Sequence, residues 1–128
     1  MNAPKTVQTT GKTGKRIIGP GFREQIYSLV KKVPRGSVTT YGDLGGALGS
    51  RRIARQVGFA MAACKAENEV PWHRVINSQG CISARGDSER ALQQEAMLVD
   101  EGHSFAASGK IKDFATIRHA FPAPKELL

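Results

Sequence analysis

Thr40-Tyr41-Gly42-Asp43-Leu44-Gly45-Gly46-Ala47-Leu48-Gly49-Ser50-Arg51-Arg52-Ile53-Ala54-Arg55-Gln56-Val57-Gly58-Phe59-Ala60-Met61 reads as two short helices meeting at a tight turn. Thr40 with Asp43 three residues on is a capping-box signature, and Tyr41, Leu44 and Leu48 share one face of the helix it opens. Gly49 suits the end of that helix, and Ser50 suits the N-cap of the next, over residues 51–63. Ile53, Val57, Ala60 and Met61 fall on the inward face of this second helix. Gly42, Gly45 and Gly46 each weaken a helix by roughly 1 kcal/mol relative to Ala, so packing has to hold the first one. Two such helices around a Gly-Ser turn, the second opening with Arg51, Arg52 and Arg55, form the pattern of a helix-turn-helix, which generic helical pairs share.

Charge sharpens that reading. The chain has 128 residues, 19 Lys+Arg against 11 Asp+Glu, and a formal charge of +8. Residues 1–56 hold eleven basic and two acidic residues, whereas residues 57–128 hold eight and nine. A basic half on a small domain points to a polyanion, most often nucleic acid, with an indifferent basic protein as the bland alternative. Length allows one ordinary domain, and 40% hydrophobic with 23% charged residues is a globular balance. No apolar run is long enough for a membrane span and no secretory h-region opens the chain, so a cytoplasmic, nucleoid-associated location is expected, or a nuclear one in a eukaryote. Two cysteines, Cys64 and Cys81, are expected as free thiols, and no Cys/His spacing resembles a zinc site. Neither metal nor cofactor is expected.

Outward from the helix pair, residues 1–19 carry four basic and no acidic residue without any period. They suit a flexible basic arm lying along phosphates as well as a solvated tail. Phe22, Ile26, Leu29, Val30 and Val33 form one apolar stripe, broken by Pro34-Arg35-Gly36. Val75-Ile76, the turn residues Asn77-Ser78-Gln79-Gly80 and Cys81-Ile82-Ser83 predict a small hairpin wing. Asp87 or Ser88 is expected to cap a helix ending at Gly102, with Leu92, Ala96 and Val99 buried. Phe105 and Ile111 flank a second hairpin turn, and residues 113–121 suit a last short helix, leaving 122–128 as a tail. The expected fold, over residues 20–121, is mainly α: a winged helix-turn-helix-like domain with short β-hairpins.

Val70-Pro71-Trp72-His73-Arg74-Val75-Ile76 turns the reading toward function. It resembles the Pro-Cys-His-Arg-Val active-site motif of the O6-alkylguanine-DNA alkyltransferases, with Trp72 where the acceptor cysteine belongs. Gly36-Ser37-Val38-Thr39-Thr40-Tyr41-Gly42-Asp43 is similar to that family's approach to its helix-turn-helix. Ala54-Arg55-Gln56-Val57-Gly58-Phe59-Ala60-Met61 resembles its recognition helix, and Leu98-Val99-Asp100-Glu101-Gly102 its closing helix. The resemblance covers about residues 22–102, and Trp for Cys marks the alkyltransferase-like branch, a DNA-binding domain without the transfer chemistry. The family's separate N-terminal domain is not expected here. Cys64 is a second departure, near a position where the family usually has asparagine.

The chemistry makes the substitution matter. Removing an alkyl group from guanine O6 needs a thiolate activated by a base and oriented by a third group. His73 and Glu101 resemble that base and carboxylate and are expected as a structural remnant. An indole offers an N–H donor and no such nucleophile. The resemblance implies that Arg55 fills the space of an extruded nucleotide, a phosphate contact being its plainer role, and that Tyr41 helps rotate the nucleotide outward. It implies a lesion pocket of Tyr41, Met61, Val70, Pro71, Trp72 and Arg85, the last replacing an aromatic lid residue. DNA contacts are expected from Thr40, Ser50, Arg51, Arg52, Ala54, Gln56 and Gly58, with the small residues allowing close approach in the minor groove.

The function these expectations describe is non-enzymatic. A monomer binds double-stranded DNA carrying O6-alkylguanine, flips the damaged nucleotide into a pocket, and flags it for nucleotide excision repair proteins. Two alternatives stand beside it: a divergent alkyltransferase using Cys81 or Cys64, and a plain winged-helix DNA-binding protein without lesion preference.

Overall fold

The computed structural model describes residues 17–83 and 88–122. Helix α1 (Phe22–Val30) starts after Gly21, whose φ of 85° is open to glycine. It buries Phe22, Ile26, Tyr27 and Val30, and Val33 is fully buried just beyond it. Tyr27 joins this face, its hydroxyl donating to the Ala60 carbonyl at 2.8 Å. Burial raises the pKa of that phenol. Ile18 is buried in the same core and Ile17 packs against it, so the N-terminal arm expected over 1–19 gives way to core by residue 17. The rest of that arm lies outside the described residues.

Strand β1 (Thr39–Thr40) leads directly into α2 (Tyr41–Leu48). Thr40 Oγ1 accepts from the Asp43 N–H at 3.0 Å, as the cap signature requires, and Gly49 ends the helix at φ 121°. A 3-10 turn (Arg51–Ile53) then runs into α3 (Ala54–Ala62), with Ser50 Oγ accepting from the Arg52 N–H. Ile53, Val57, Ala60 and Met61 are all buried, as their spacing predicts. Gly45 explains why α2 tolerates glycine: a Cβ there would meet the Ser50 carbonyl oxygen at 2.7 Å and Ile53 at 2.9 Å. The close crossing of α2 on the turn needs a residue without a side chain.

The expected wing is not a hairpin. Strand β2 (Val75–Ile76) pairs in parallel with β1, Thr39 opposite Val75 and Thr40 opposite Ile76. Residues 81–83 form no strand, although the Asn77 N–H still donates to the Cys81 carbonyl across the turn. Val75 and Ile76 are both buried, so their backbone pairs inward with β1 rather than outward with a solvent-facing return strand. On the other side of β1, Val38 bridges Arg118, and Val38 exchanges backbone hydrogen bonds with Ile117 and His119. The second hairpin reduces to one antiparallel bridge, Phe105 with Ile111. The last helix, α5, is a single turn (Phe114–Ile117).

Helix α4 (Ser88–Asp100) ends at Gly102, φ 99°, where the His103 N–H donates to the Leu98 carbonyl. Its buried residues are Gln94 and Leu98, not the expected Leu92, Ala96 and Val99, which are exposed. Gln94 decides the orientation. Its Nε2 donates to both the His73 carbonyl (3.1 Å) and the Val75 carbonyl (2.9 Å), so the polar side of the helix faces inward. The Asp87 cap expected for this helix falls outside the described residues.

Candidate functional site

The outward side of α3 and the turn before it presents Arg52, Arg55, Phe59 and Ala62, all exposed at offsets that stack along one face. The Arg55 guanidinium sits 5.7 Å from the Phe59 ring centre, and Phe59 is itself 53% exposed. A cation and an aromatic ring on one helix face suit a phosphate backbone and a base stack. Ala54 and Gln56 are half-buried beside them, with Gln56 Oε1 buried and unpaired. Ser50 is half-buried at the turn, where its hydroxyl serves as the cap.

Three expected contacts are placed differently. Thr40 is fully buried with its hydroxyl committed to Asp43, so it shapes the turn and offers no surface to a duplex. Gly58 is buried too and lines the cavity described below. Arg51 lies back across α2, its guanidinium 3.0 Å from the point a Gly42 Cβ would occupy and its Nη1 donating to Asp43 Oδ1 at 2.9 Å. Asp43 therefore does not reach back to the Thr40 N–H as a capping box implies. It receives Arg51 on one side and a two-pronged Arg118 at 2.8 and 2.9 Å on the other. Burial raises its pKa, but the hydrogen bonds and charges of Arg118 and Arg51 outweigh that and hold the carboxyl below its ordinary value. Arg118 thus fastens the C-terminal segment to the base of α2, a link that nothing in the sequence reading anticipated.

Beside this face lies a cavity of about 200 Å³. Tyr41, Met61 and Trp72, three of the expected pocket residues, line it. Val70 is buried in the main core instead, and Pro71 is half-buried outside the lining. Arg85 lies outside the described residues. The far wall comes from α4: Arg90, Ala91 and Gln94. Arg90 is the residue that sequence reasoning missed, with its Cζ 4.0 Å from the centre of the Trp72 ring and its Nη2 donating to the Met61 carbonyl at 3.2 Å. Had the helix been phased on its polar residues, Arg90 and Gln94 would have marked that wall.

Behind Trp72, the motif turns through a single 3-10 turn (Trp72–Arg74) that points His73 and Arg74 at Glu101. His73 Nε2 lies 2.6 Å from Glu101 Oε2, and the Arg74 guanidinium grips the same carboxylate at 2.7–3.2 Å. Arg74 Nη1 also donates to the Val33 carbonyl at 2.9 Å. Burial alone would raise the Glu101 pKa, yet these hydrogen bonds and charges bring it down to about 2. His103 is buried nearby with its own pKa lowered by desolvation. His73 and Glu101 are therefore brought together.

Neither cysteine is on the cavity wall. Cys64 is buried in the main core, where desolvation pushes its thiol pKa up, and Cys81 is half-buried beyond β2. Among the described residues no cluster of three His, Cys, Asp or Glu could hold a metal, and no helix is long and apolar enough to cross a membrane.

A glycine-tight helix pair with arginines on its outer face, backed by a pocket at the Pro-Trp-His-Arg turn, defines a helix-turn-helix DNA-binding domain. The chain belongs to the family described as 6-O-methylguanine DNA methyltransferase, DNA binding domain, which matches residues 21–103. Alkyltransferase-like protein 1 of Schizosaccharomyces pombe is 44% identical over 81 residues, which are 63% of this chain and 75% of that protein. The DNA base-flipping protein of Escherichia coli is 42% identical over 91 residues, 70% of this chain and 68% of its own length. The crystal structure of S. pombe Atl1 in complex with damaged DNA containing O6-carboxymethylguanine superposes with a TM-score of 0.70 at 36% identity, covering 80% of this chain and 97% of that one. The helix-turn-helix and the mainly helical architecture expected from sequence are those of this family.

Proposed function

We propose that this protein recognises O6-alkylguanine in duplex DNA, turns the damaged nucleotide out of the stack, and holds it in the Trp72 cavity without removing the alkyl group. The observation that carries this is the cavity wall. At the turn where the family resemblance puts a nucleophile, the described lining offers an indole, a phenol and a thioether but no thiol. Cys64, the buried thiol, has the raised pKa of a poor nucleophile. The similarity to a base-flipping protein and to a structure bound to damaged DNA supports the same reading. In this scheme Arg55 takes the place of the extruded nucleotide and Tyr41 crowds its phosphate, while Trp72 packs beside the alkylated base. Signalling to nucleotide excision repair proteins by a monomer on the lesion is part of the proposal and rests on the family resemblance.

The test is a competition titration. Labelled duplex with one O6-methylguanine is offered to the protein against unlabelled duplexes bearing either the lesion or guanine. The lesion duplex is expected to compete much better, Arg55→Ala or Trp72→Ala should erase that advantage, and affinity should fall steeply between 50 and 200 mM salt. Equal competition by the two duplexes would leave a plain DNA-binding protein. A gain in protein mass after incubation, lost on Cys81→Ser or Cys64→Ser, would make it an alkyltransferase instead.

A further inference from the structure

We infer that the outer face of α4 is a docking surface for a partner protein, one that presents a helix whose apolar stripe is bordered by lysines or arginines. Gln94 sets the phase of α4 through its bonds to the His73 and Val75 carbonyls, which leaves Leu92, Ala96 and Val99 pointing away from the core. Leu92 is 69% and Val99 51% exposed. Single exposed apolar residues are ordinary on a protein surface. These three stand at i, i+4 and i+7, and so form one stripe roughly 10 Å long. The fold does not require apolar residues there, since Gln94 and Leu98 anchor the helix from its other side.

Charge chooses the occupant. Glu89 and Asp100 lie along one border of the stripe and Glu95 along the other, all three exposed. Asp100 meets Arg35 at 3.5 Å, and among the described residues neither Glu89 nor Glu95 has an ion-pair partner. The one cation of α4, Arg90, lies on the cavity side. These borders repel a phosphate backbone, and in a second copy they would set like charges against each other. The chain's own ends do not fit: residues 1–16 hold only Met1 and Val7 as large apolar residues, and residues 123–128 are too few for two helical turns. A helix with basic borders satisfies the stripe and the carboxylates together, as in helix pairs whose flanking charges select the partner. Ala91 and Gln94 line the cavity from the opposite side of α4, so a docked partner does not block it. The inference therefore stands apart from the lesion-binding reading.

The probe is a synthetic peptide of about 18 residues, long enough to hold a helix, with leucines at the same spacing and lysines on both borders. One control carries glutamates in place of the lysines, and another is the lysine peptide scrambled so that no stripe forms. Binding is read by anisotropy of the labelled peptide and by backbone amide shifts of the isotope-labelled full-length protein. The lysine peptide is expected to bind with shifts concentrated at residues 88–100, and the controls to bind at least about tenfold more weakly. Leu92→Ser combined with Val99→Ser should weaken binding by about tenfold, and Glu89→Gln combined with Glu95→Gln by about threefold with a flatter salt dependence. Both variants should hold duplex DNA as the wild type does, because the changed side chains are exposed on the far side of α4 from the cavity. Equal binding of the scrambled peptide, or shifts centred away from α4, would reduce the face to a nonspecific negative surface and overturn the inference. So would an absence of binding, or an unchanged affinity in the serine variant. Self-association of the free protein that the serines abolish would make a second copy the occupant, and a loss of duplex binding in either variant would assign the face to DNA; each result overturns the partner helix.

Discussion

Replacing Glu101 with Gln removes one negative charge from the most tightly paired group in the described structure and leaves its shape nearly intact. The side chain is 5% exposed, and its partners His73 and Arg74 are 8% and 15% exposed. Breaking a pair this buried costs roughly 3–5 kcal/mol, because the remaining charge loses its counterion away from water. The lowered pKa gives an independent figure. A fall from 4.5 to about 2, at about 1.36 kcal/mol per unit, amounts to roughly 3 kcal/mol. At pH 7 Glu101→Gln should therefore lower the urea-derived stability by about 3 kcal/mol, and thermal denaturation should move by roughly 10 °C or more. The sign with pH follows from linkage. A carboxyl depressed in the folded state contributes fully above its unfolded pKa and loses that contribution as pH falls toward the folded value. The gap between wild type and variant should shrink as pH drops from 4.5 through the folded value of about 2, below which both carry a neutral group. Asp43 is also depressed, but it is common to both proteins and cancels in the difference. A gap that is constant across this window, or below about 1 kcal/mol at pH 7, would refute the assignment.

Gly45→Ala should destabilise the domain by about 1–3 kcal/mol, since its Cβ would sit 2.7 Å from a backbone oxygen that has little room to move; an unchanged urea midpoint would mean that the helix crossing is loose. In the native protein iodoacetamide should modify Cys81 well before Cys64, because Cys64 is 2% exposed with a raised thiol pKa; peptide mass spectrometry showing equal rates would contradict the buried placement.

The parts legible in the sequence are those written in neighbouring residues. The stripe of α1, the Thr40 and Ser50 caps, the Gly49 stop and the inward face of α3 all depend on spacings of a few residues, and each is found. What escaped depends on distant partners. Val75-Ile76 borders turn residues as a hairpin strand does, yet its partner is β1, more than thirty residues away and parallel. The Arg118–Asp43 clasp spans 75 residues. Hydrophobicity alone turns Leu92, Ala96 and Val99 of α4 inward, but two backbone carbonyls of the motif turn require a donor. Gln94 meets that requirement from inside the helix. With the helix phased by Gln94, Arg90 and Ala91 turn toward Trp72, so the missed wall of the cavity and the misread stripe are one error.

A second clasp, formed by His73 and Arg74 on Glu101, has a structural use at a turn that carries an indole where the family resemblance puts a nucleophile. Three separated pieces of chain meet there: the end of α1 through the Val33 carbonyl, the motif turn through His73 and Arg74, and the segment after α4 through Glu101. Gln94 adds a fourth attachment, from α4 to the carbonyls on either side of Arg74. The turn that carries Trp72 is therefore held from behind by hydrogen bonds to α4 and its end, and from the front by Arg90. A wall that has to receive a bulky, extruded base needs this rigidity whether or not a bond is broken there, because affinity gained in the pocket is lost again if the pocket must first be ordered. Under the proposed function, an indole in place of a thiol takes away the reaction and leaves the demand for a preformed cavity. On this account Glu101→Gln should weaken lesion binding more than binding to undamaged duplex, since the outer face of α3 does not depend on the clasp. A competition titration showing equal losses for both duplexes would separate the clasp from the pocket.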